Sequence, residues 1–469
     1  MNNKHLLIIT GLFFSFFLMT GTIYYFKYHD LNSPLRETQS QKKSKLKIKS
    51  DRDLDLGTIS DIKNQISDEP SALFNDPAIK QAWGLKKADA ARAWSVSKGS
   101  KKVIVAVIDT GIDTHHEDIN DNLWENPGES GLDAAGKDKS NNGIDDDGNG
   151  FIDDVHGWNF VSNNNKLDDN HGHGTHIAGI IGAEGGNKKG IVGISPEVSL
   201  MVLKYFDPKV PNTDNLKNTI LSINYAVKMG AHIINYSGGG TEYSQEEHDA
   251  VLAAERKGIL FVAAAGNEHS NSDENHYYPA DYKLKNIISV TAIDPTTEVL
   301  SSSNFGIETV DIAAPGQAIL SCLPNNTYGL MTGTSQATAF VTGAGVLVMA
   351  SKDLYGHPEE VKKFILATGD SAATLQAKTK TSKQLNLFKS LTILDQSTSI
   401  SGIKASVSPQ TYLSKESNNS SISLNNQIND PNFKKQMVGF GADLMKIVNE
   451  SKKQKNKERL GTQSENNEN

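Results

Sequence analysis

Short apolar runs alternate with amphipathic segments between about residues 75 and 395. Continuous apolar runs of four to six residues that are bounded by turn residues are typical of strands covered on both faces. Five such runs occur, at residues 103–108, 200–205, 232–235, 259–263 and 287–292. Each of them predicts a buried strand.

Helical periodicity appears between and after these runs. One helix face is marked by Leu216, Ile220, Ile223 and Val227, and two more helices are predicted over residues 249–257 and 338–350. Strands that alternate with helices need crossover connections, which place helices on both faces of a parallel sheet. The pattern therefore predicts an α/β fold with three layers and a mostly parallel sheet.

The N-terminal end differs from this body. Residues 6–26 form an apolar run behind Lys4, so residues 1–26 predict a signal peptide or a membrane anchor. A buried core helix is the alternative interpretation. Lys27, Arg36, Lys42, Lys43 and Lys45 follow the run, and they would hold an uncleaved anchor with its body in the cytoplasm. A cleaved signal fits an exported protein better.

Two further segments lie outside the predicted core. Residues 27–75 are polar and basic, and they indicate a linker or a short pro-segment. Residues 396–469 are rich in Ser, Asn, Gln and Lys, which predicts a low-complexity, largely disordered tail with a short helix near residues 433–447. Residues 76–395 are then the folded domain.

Charge and cysteine content narrow the function. The net charge is −8; residues 27–50 carry +5, residues 401–469 carry +3 and Lys4 adds one, so residues 51–400 carry −17. An acidic body repels phosphate backbones, which argues against a nucleic-acid partner. The single cysteine, Cys322, excludes an intramolecular disulfide and a multi-cysteine zinc site.

Polar residues follow three of the predicted strands. Asp109 comes after the first run, Ser237 follows the third, and Asn267 follows the fourth. The carboxyl ends of parallel strands share one edge of a sheet, where ligands bind. His173 and Ser335 stand at the starts of helical segments. An acid, an imidazole, a hydroxyl and a carboxamide are therefore expected at this edge.

This set of groups supports acyl transfer. A serine hydroxyl becomes a good nucleophile when a base removes its proton, and histidine has the right pKa for that work. A carboxylate fixes the histidine tautomer and stabilises the imidazolium. A side-chain amide can donate to the developing oxyanion.

Three segments resemble the signature segments of subtilisin-like serine proteases. They are residues 109–111 (DTG), 173–179 (HGTHIAG) and 333–335 (GTS), in the Asp, His, Ser order of subtilisin. The resemblance spans about residues 75–395 and implies a monomeric serine endopeptidase that acts on extended polypeptides. It implies Asp109 as the orienting acid, His173 as the base, Ser335 as the nucleophile and Asn267 as the oxyanion donor.

The resemblance also implies substrate-binding residues. Ser237, Gly238 and Gly239 match the strand that pairs with extended substrate, and a plain glycine turn is the alternative. Tyr277 stands where the family commonly has a small residue at the base of the specificity pocket. Its ring either shortens that pocket, which favours small substrate side chains, or points away from it.

An acidic loop predicts a structural Ca²⁺ site. Side-chain oxygens fall at alternate positions, as in the first part of an EF-hand loop, on Asp145, Asp147, Asn149 and Asp153. His156 stands where the bidentate Glu would be, so the EF-hand is incomplete; a solvated acidic turn is the alternative. Asp118 and Asn187 loosely match a second calcium site of the resembling family.

Taken together, the sequence predicts an exported, calcium-stabilised serine endopeptidase that works through an acyl-enzyme. Its N-terminal segment would also permit membrane association. The first rival is a catalytically silent protein that keeps the fold and captures peptide strands. An esterase is the second, but the Gly-x-Ser-x-Gly elbow of α/β-hydrolases is absent around Ser335.

Overall fold

The computed structural model describes Glu69, Ser71 and residues 73–393. The predicted signal peptide or anchor, most of the linker and the C-terminal tail lie outside these residues. Among the described residues, no helix has both the length and the apolar character needed to cross a membrane.

The central feature is a nine-stranded sheet in the described part of the chain. In chain order the strands are β1 (Gly99–Asp109), β2 (Gly157–Asn159), β3 (Glu197–Lys204), β4 (Ile233–Tyr236), β5 (Leu260–Ala264), β6 (Ile287–Ile293), β7 (Ile312–Pro315), β8 (Ile319–Leu323), β9 (Thr327–Met331), β10 (Asp370–Ser371) and β11 (Lys383–Gln384). Across the sheet the order is β10-β11-β7-β6-β5-β4-β1-β3-β2. Only β10 and β11 pair antiparallel within it, and β8 and β9 form a separate hairpin. The predicted mostly parallel sheet is confirmed.

Helices cover both faces of the sheet. They are α1 (Trp83–Lys87), α2 (Ala90–Trp94), α3 (His173–Gly182), α4 (Asn215–Lys228), α5 (Gln245–Arg256), α6 (Thr334–Lys352), α7 (Pro358–Thr368) and α8 (Leu387–Thr392). Apolar residues of α4 and α5 belong to one core cluster, and those of α3, α6, α7 and α8 belong to another. The sheet separates the two cores, as the predicted three-layer architecture requires.

Helix α6 begins four residues before the predicted start. The sequence pattern places the start at Thr338, whereas the structure places it at Thr334. The first turn consists of small polar residues without an apolar period, so periodicity does not detect it. Ser335 therefore lies inside the first turn of a 19-residue buried helix.

Helix α5 also begins four residues earlier than predicted. Ser244 is its N-cap, and the Ser244 hydroxyl oxygen accepts a hydrogen bond from the Glu247 backbone N–H at 3.2 Å. Such a cap satisfies one of the amide donors that a helix start leaves free. The predicted start at Asp249 misses this first turn because its residues are polar.

The buried face of α4 includes three of the four predicted apolar positions. Ile223 is fully buried, and Ile220 and Val227 are partly buried against the same core cluster. The helix also buries polar side chains. Asn218 donates to the carbonyl of Tyr205 at 3.2 Å, and Ser222 donates to the carbonyl of Asn218 at 2.8 Å. Because these polar groups find partners, they can occupy the interior without a desolvation penalty.

Close packing on α6 generates a stability prediction. A Cβ atom on Gly343 would lie 2.5 Å from Cβ of Ile194, whereas one on Gly345 would meet only the tips of Ile233 and Leu260 at 3.0 Å. We expect Gly343→Ala to lower the free energy of unfolding by about 1–3 kcal/mol through overpacking, despite the higher helix propensity of alanine. Gly345→Ala is the matched control and should cost less in urea unfolding. A Gly343→Ala protein as stable as the wild type would contradict this packing.

Candidate active site

Asp109 and His173 meet at the junction of β1 and α3. Asp109 is the last residue of β1, His173 is the first residue of α3, and both side chains are buried. His173 Nδ1 lies 2.8 Å from Asp109 Oδ1, which also accepts the backbone N–H of Thr110 at 2.8 Å. His173 Nε2 is buried and has no hydrogen-bond partner among the described residues. The ring therefore has one nitrogen fixed and the other available.

The surroundings of His173 favour its protonated form. Burial disfavours the charged ring and on its own would lower its pKa. The negative charge and hydrogen bond of Asp109, helped by Asp169, outweigh burial, so the pKa of His173 is raised above its usual 6.5. An imidazole in this setting accepts a proton readily, because the carboxylates stabilise the resulting imidazolium.

Asp169 holds this junction together, and the sequence analysis missed it. Its Oδ1 accepts the Thr110 hydroxyl at 2.8 Å and the Gly172 backbone N–H at 2.7 Å. Its Oδ2 accepts the backbone N–H of Thr175 at 2.9 Å and the hydroxyl of the same residue at 2.7 Å. The carboxylate thus ties the end of β1 to the first turn of α3. An aspartate just before a helix with a glycine N-cap was the available signal.

Ser335 lies at the positive end of the α6 dipole. Its side chain is buried, and its hydroxyl donates to the carbonyl of Ser237 at 3.3 Å. Ser237 directly follows β4, the sheet neighbour of β1. The structure therefore places Ser335 at the carboxyl-terminal edge where Asp109 also lies.

Asn267 is held near Ser335 by its contacts with Thr334, the residue that precedes Ser335. Its side-chain Oδ1 accepts the backbone N–H of Thr334 at 3.0 Å and the Thr334 hydroxyl at 3.2 Å. These two bonds fix the orientation of the amide. The Nδ2 group is buried and has no hydrogen-bond partner among the described residues. A preorganised donor is thus present next to the start of α6.

The segment 237–240 continues from β4 as an extended stretch. The Gly240 backbone N–H donates to the carbonyl of Tyr278 at 2.9 Å, and the Tyr278 N–H donates back at 2.7 Å. A Cβ atom on Gly238 would lie 2.6 Å from the hydroxyl of Tyr205. Glycine is needed here because the tyrosine side chains lie so close to the backbone.

Tyr277 is fully buried beside this segment. A Cβ atom on Gly239 would lie 2.4 Å from the Tyr277 ring, and one on Gly266 would lie 3.0 Å from it. The ring therefore occupies the space between segment 237–240 and the turn that precedes Asn267. The Tyr277 backbone N–H donates to Asp281 at 2.8 Å, which fixes the main chain that carries the ring.

His176 makes contacts of a different kind. Its Nε2 lies 3.0 Å from the carbonyl of Ile319 and 3.2 Å from that of Gly329, which are residues of the β8–β9 hairpin. Burial, with the neighbouring His173, lowers the pKa of His176 to about 3. The ring is neutral and joins α3 to the hairpin.

The acidic loop places only part of the predicted calcium set together. One carboxylate oxygen from each of Glu129, Asp147 and Asp154 lies within 4.8 Å of the others. The Asn149 amide donates to Asp147 at 3.2 Å and to Asp154 at 2.9 Å. Glu129 and Asp154 were not predicted, because Glu129 lies well before the loop and Asp154 is out of step with the alternating pattern.

Asp145 and Asp153 take other partners. Asp145 accepts the backbone N–H groups of Asn149 and Gly150 at 2.9 and 2.8 Å. Asp153 accepts those of Asn142 and Gly143 at 2.9 and 3.1 Å. Both carboxylates therefore shape turns of the loop, and neither belongs to the cluster of three.

The cluster of three carries uncompensated negative charge. Glu129 is fully buried, and its Oε2 has no hydrogen-bond partner among the described residues. Burial raises the pKa of Glu129 above its usual value, and it raises the pKa of Asp154 as well. Carboxylate oxygens in such a position match the ligands that Ca²⁺ prefers.

Asp118 and Asn187 are brought into contact. The Asn187 amide donates to Asp118 at 2.7 Å, and the backbone N–H of Ile191 donates to the second Asp118 oxygen at 2.9 Å. Burial is the main cause that raises the pKa of Asp118 to about 6. Both oxygens of this carboxylate already have partners, so the case for a cation is weaker here than at Glu129.

Comparison with known proteins identifies relatives of the chain. A family profile described as "Subtilase family" matches residues 100–389. The chain is 35% identical over 272 residues to the "Major intracellular serine protease" of Bacillus subtilis, covering 58% of this chain and 75% of that protein. It is 36% identical over 275 residues to "Thermitase" of Thermoactinomyces vulgaris, covering 58% and 84%. "Subtilisin-like protease 2" of Plasmodium falciparum is 32% identical over 297 residues, covering 61% of this chain and 20% of that protein.

Proposed function

The chain belongs to the subtilase family of serine endopeptidases, and from this premise we propose that Ser335, His173 and Asp109 hydrolyse peptide bonds through an acyl-enzyme. The observation that carries the assignment is the state of the His173 ring. Its Nδ1 is held by Asp109 at 2.8 Å, while its buried Nε2 lacks a partner among the described residues. A general base needs that combination of fixed tautomer and free nitrogen.

The proposed reaction proceeds in two halves. The Ser335 hydroxyl leaves the Ser237 carbonyl, gives its proton to His173 Nε2 and attacks the substrate carbonyl carbon. Asn267 Nδ2 and the Ser335 backbone N–H donate to the resulting oxyanion. The imidazolium then protonates the leaving amine, which releases the first product. Water repeats these steps on the ester and restores the free hydroxyl.

Labelling by a fluorophosphonate tests this assignment on the full chain. We expect rapid labelling of the wild type and none of Ser335→Ala, because only a base-activated serine attacks the probe. Ser301→Ala changes an exposed serine and is the matched control, which should label normally. A folded wild type that binds peptides without labelling would instead support the silent peptide-binding rival. Equal labelling of Ser335→Ala would place the nucleophile elsewhere.

Tyr277 supports a proposal on substrate preference. Its buried ring occupies the space beside segment 237–240, the proposed pairing strand for the substrate backbone. A substrate side chain that enters there next to Ser335 meets this ring. We propose that Tyr277 limits the residue before the scissile bond to small side chains.

Peptide libraries test the role of Tyr277. We expect the wild type to prefer alanine over phenylalanine before the scissile bond, and Tyr277→Ala to shift that ratio towards phenylalanine by about ten-fold or more, since an apolar pocket distinguishes side chains by about 1–3 kcal/mol. Tyr355→Ala removes a half-buried tyrosine elsewhere and should leave the ratio unchanged. A wild type that already prefers large aromatic residues would contradict the proposal.

We propose that Glu129, Asp147 and Asp154, with Asn149, hold a structural Ca²⁺. The support is the unpartnered oxygen of the buried Glu129 and the close approach of three carboxylates. The ion would neutralise this repulsion and so stabilise the folded state by mass action. Asp118 and Asn187 remain a second proposed site, with the weaker support described above.

Chelation tests the calcium proposal. We expect a chelator to lower the melting temperature of the wild type by about 5 °C or more, because loss of a ligand held at 100 times its Kd costs about 2.7 kcal/mol. Glu129→Gln should abolish most of this response, whereas the control Glu125→Gln, at an exposed acid, should keep it. A melting temperature that chelation leaves unchanged would refute the calcium proposal.

The proposal of export rests on residues 6–26 alone. The Bacillus subtilis relative gives it no support, because that protein is named an intracellular protease. We propose that these residues act as a cleaved signal or as an anchor that associates with the membrane. Extended polypeptides are the proposed substrates, and a monomer is the proposed state. Residues 42–76 would then carry any self-cleavage site.

A further inference from the structure

Four aromatic side chains cluster beside Gly240, and we call them the aromatic patch: Tyr243, His248, Tyr278 and Tyr282. The Tyr243 ring stands nearly perpendicular to the rings of Tyr278 and Tyr282, at centroid distances of 5.4 and 5.5 Å. Tyr278 and Tyr282 stack on each other at 4.9 Å. The Tyr243 ring is thus perpendicular to two tyrosine rings that stack on each other.

The outer part of the aromatic patch is open to solvent and adjoins the proposed pairing strand. Tyr243 is 52% exposed, whereas Tyr282 is buried. Tyr278 is half-buried, and its backbone pairs directly with Gly240. An extended substrate advances about 3.3 Å per residue, so one that pairs along segment 237–240 reaches the patch about three to four residues from Ser335.

A buried carboxylate lies beneath the aromatic patch. Glu247 is fully buried, and its Oε2 accepts the hydroxyl of Tyr282 at 2.7 Å. Its Oε1 has no hydrogen-bond partner among the described residues, and no described Lys, Arg or His forms an ion pair with it. When ionised, this carboxylate has no counter-ion among the described residues, and a cation bound above it would lower that cost.

The exposed charges around the aromatic patch are mixed but mostly acidic. Glu242, Glu246 and Asp249 are exposed acids on the segment that carries Tyr243 and His248, and residues 229–255 contain no Lys or Arg. Two exposed lysines, Lys283 and Lys285, follow Tyr282, and Lys285 pairs with Glu359. The excess of acids favours a cation over an anion at the patch.

We propose that the aromatic patch, with Glu247 beneath it, binds a Lys or Arg side chain of the polypeptide substrate. Tyrosine faces attract ammonium and guanidinium groups, and the attraction grows when negative charge lies behind the rings. Glu247 acts through Tyr282, whose hydroxyl it holds, and does not itself contact the substrate. This subsite deepens the proposed function and rests on it.

Cleavage of paired peptides tests the subsite on the full chain. Within a pair the two peptides share one cleavable sequence, and one carries arginine where the other carries its uncharged isostere citrulline. Different pairs place this residue two to five residues before or after the scissile bond. At one position, three or four residues away, we expect kcat/KM to be about ten-fold higher for arginine, the range of a partly desolvated cation–π contact. Added salt should reduce that ratio.

Two variants assign the preference to the aromatic patch. Glu247→Gln and Tyr243→Leu should both bring the arginine-to-citrulline ratio below about three-fold, because kcat/KM for the arginine peptide should fall further than kcat/KM for the citrulline peptide. If Glu247→Gln lowers the melting temperature too far, Tyr243→Leu carries the test, because Tyr243 is exposed. Glu360→Gln, an exposed acid on α7 at the other face of the sheet, is the control and should keep the ratio.

Several outcomes would overturn the subsite. Equal cleavage of arginine and citrulline peptides at every position would do so, as would a preference that survives both variants. A stronger preference for phenylalanine at the same position would show an apolar subsite instead. Failure of the proposed function looks different, since no peptide would be cleaved and the fluorophosphonate would not label Ser335.

Discussion

The hydrogen bond between Asp109 and His173 joins the end of strand β1 to the start of α3 at 2.8 Å, inside the protein. The carboxylate is oriented by the Thr110 backbone N–H, and Asp169 ties Thr110 to the first turn of α3. These bonds need the strand end and the helix start in one relative position. Because the two elements are packed on a common core, the imidazole orientation depends on the fold as a whole.

The remaining groups reach this junction from neighbouring strands. Ser335 contacts the carbonyl that follows β4, and Asn267, which follows β5, is fixed by Thr334. His173 Nε2 and Asn267 Nδ2 are both buried without a partner among the described residues. An unsatisfied buried polar atom costs about 1–3 kcal/mol. Two of them at one edge of the sheet indicate that the site is preorganised for atoms that the substrate brings.

The sheet could be predicted from sequence because β-branched apolar runs identify strands buried on both faces, as in β1 and β6. Helix starts were harder to predict, because polar first turns such as that of α6 carry no apolar period. Side chains that act across long sequence separations could not be predicted for a related reason. Asp169 supports His173, and Glu129 approaches Asp147, only because the chain folds back, which a local spacing rule cannot detect.

The same tertiary placement explains the aromatic patch. Tyr243 precedes α5, whereas Tyr278 and Tyr282 come from the segment that pairs with Gly240. No motif joins these residues in the sequence, and Glu247 looks like an ordinary surface acid near a helix start. Its burial beneath the rings places a carboxyl group beside the segment that leads to Ser335, so the proposed subsite and the proposed catalytic residues share one framework.

The rate at which a fluorophosphonate phosphonylates the full chain, compared between the wild type and Asp109→Asn, tests the central hydrogen bond most directly. The substitution keeps the size of the side chain but favours the wrong imidazole tautomer. We expect the variant to keep its melting temperature within a few degrees and to be phosphonylated about 10⁴-fold more slowly. A folded Asp109→Asn protein that is phosphonylated within ten-fold of the wild-type rate would contradict the role assigned to this bond.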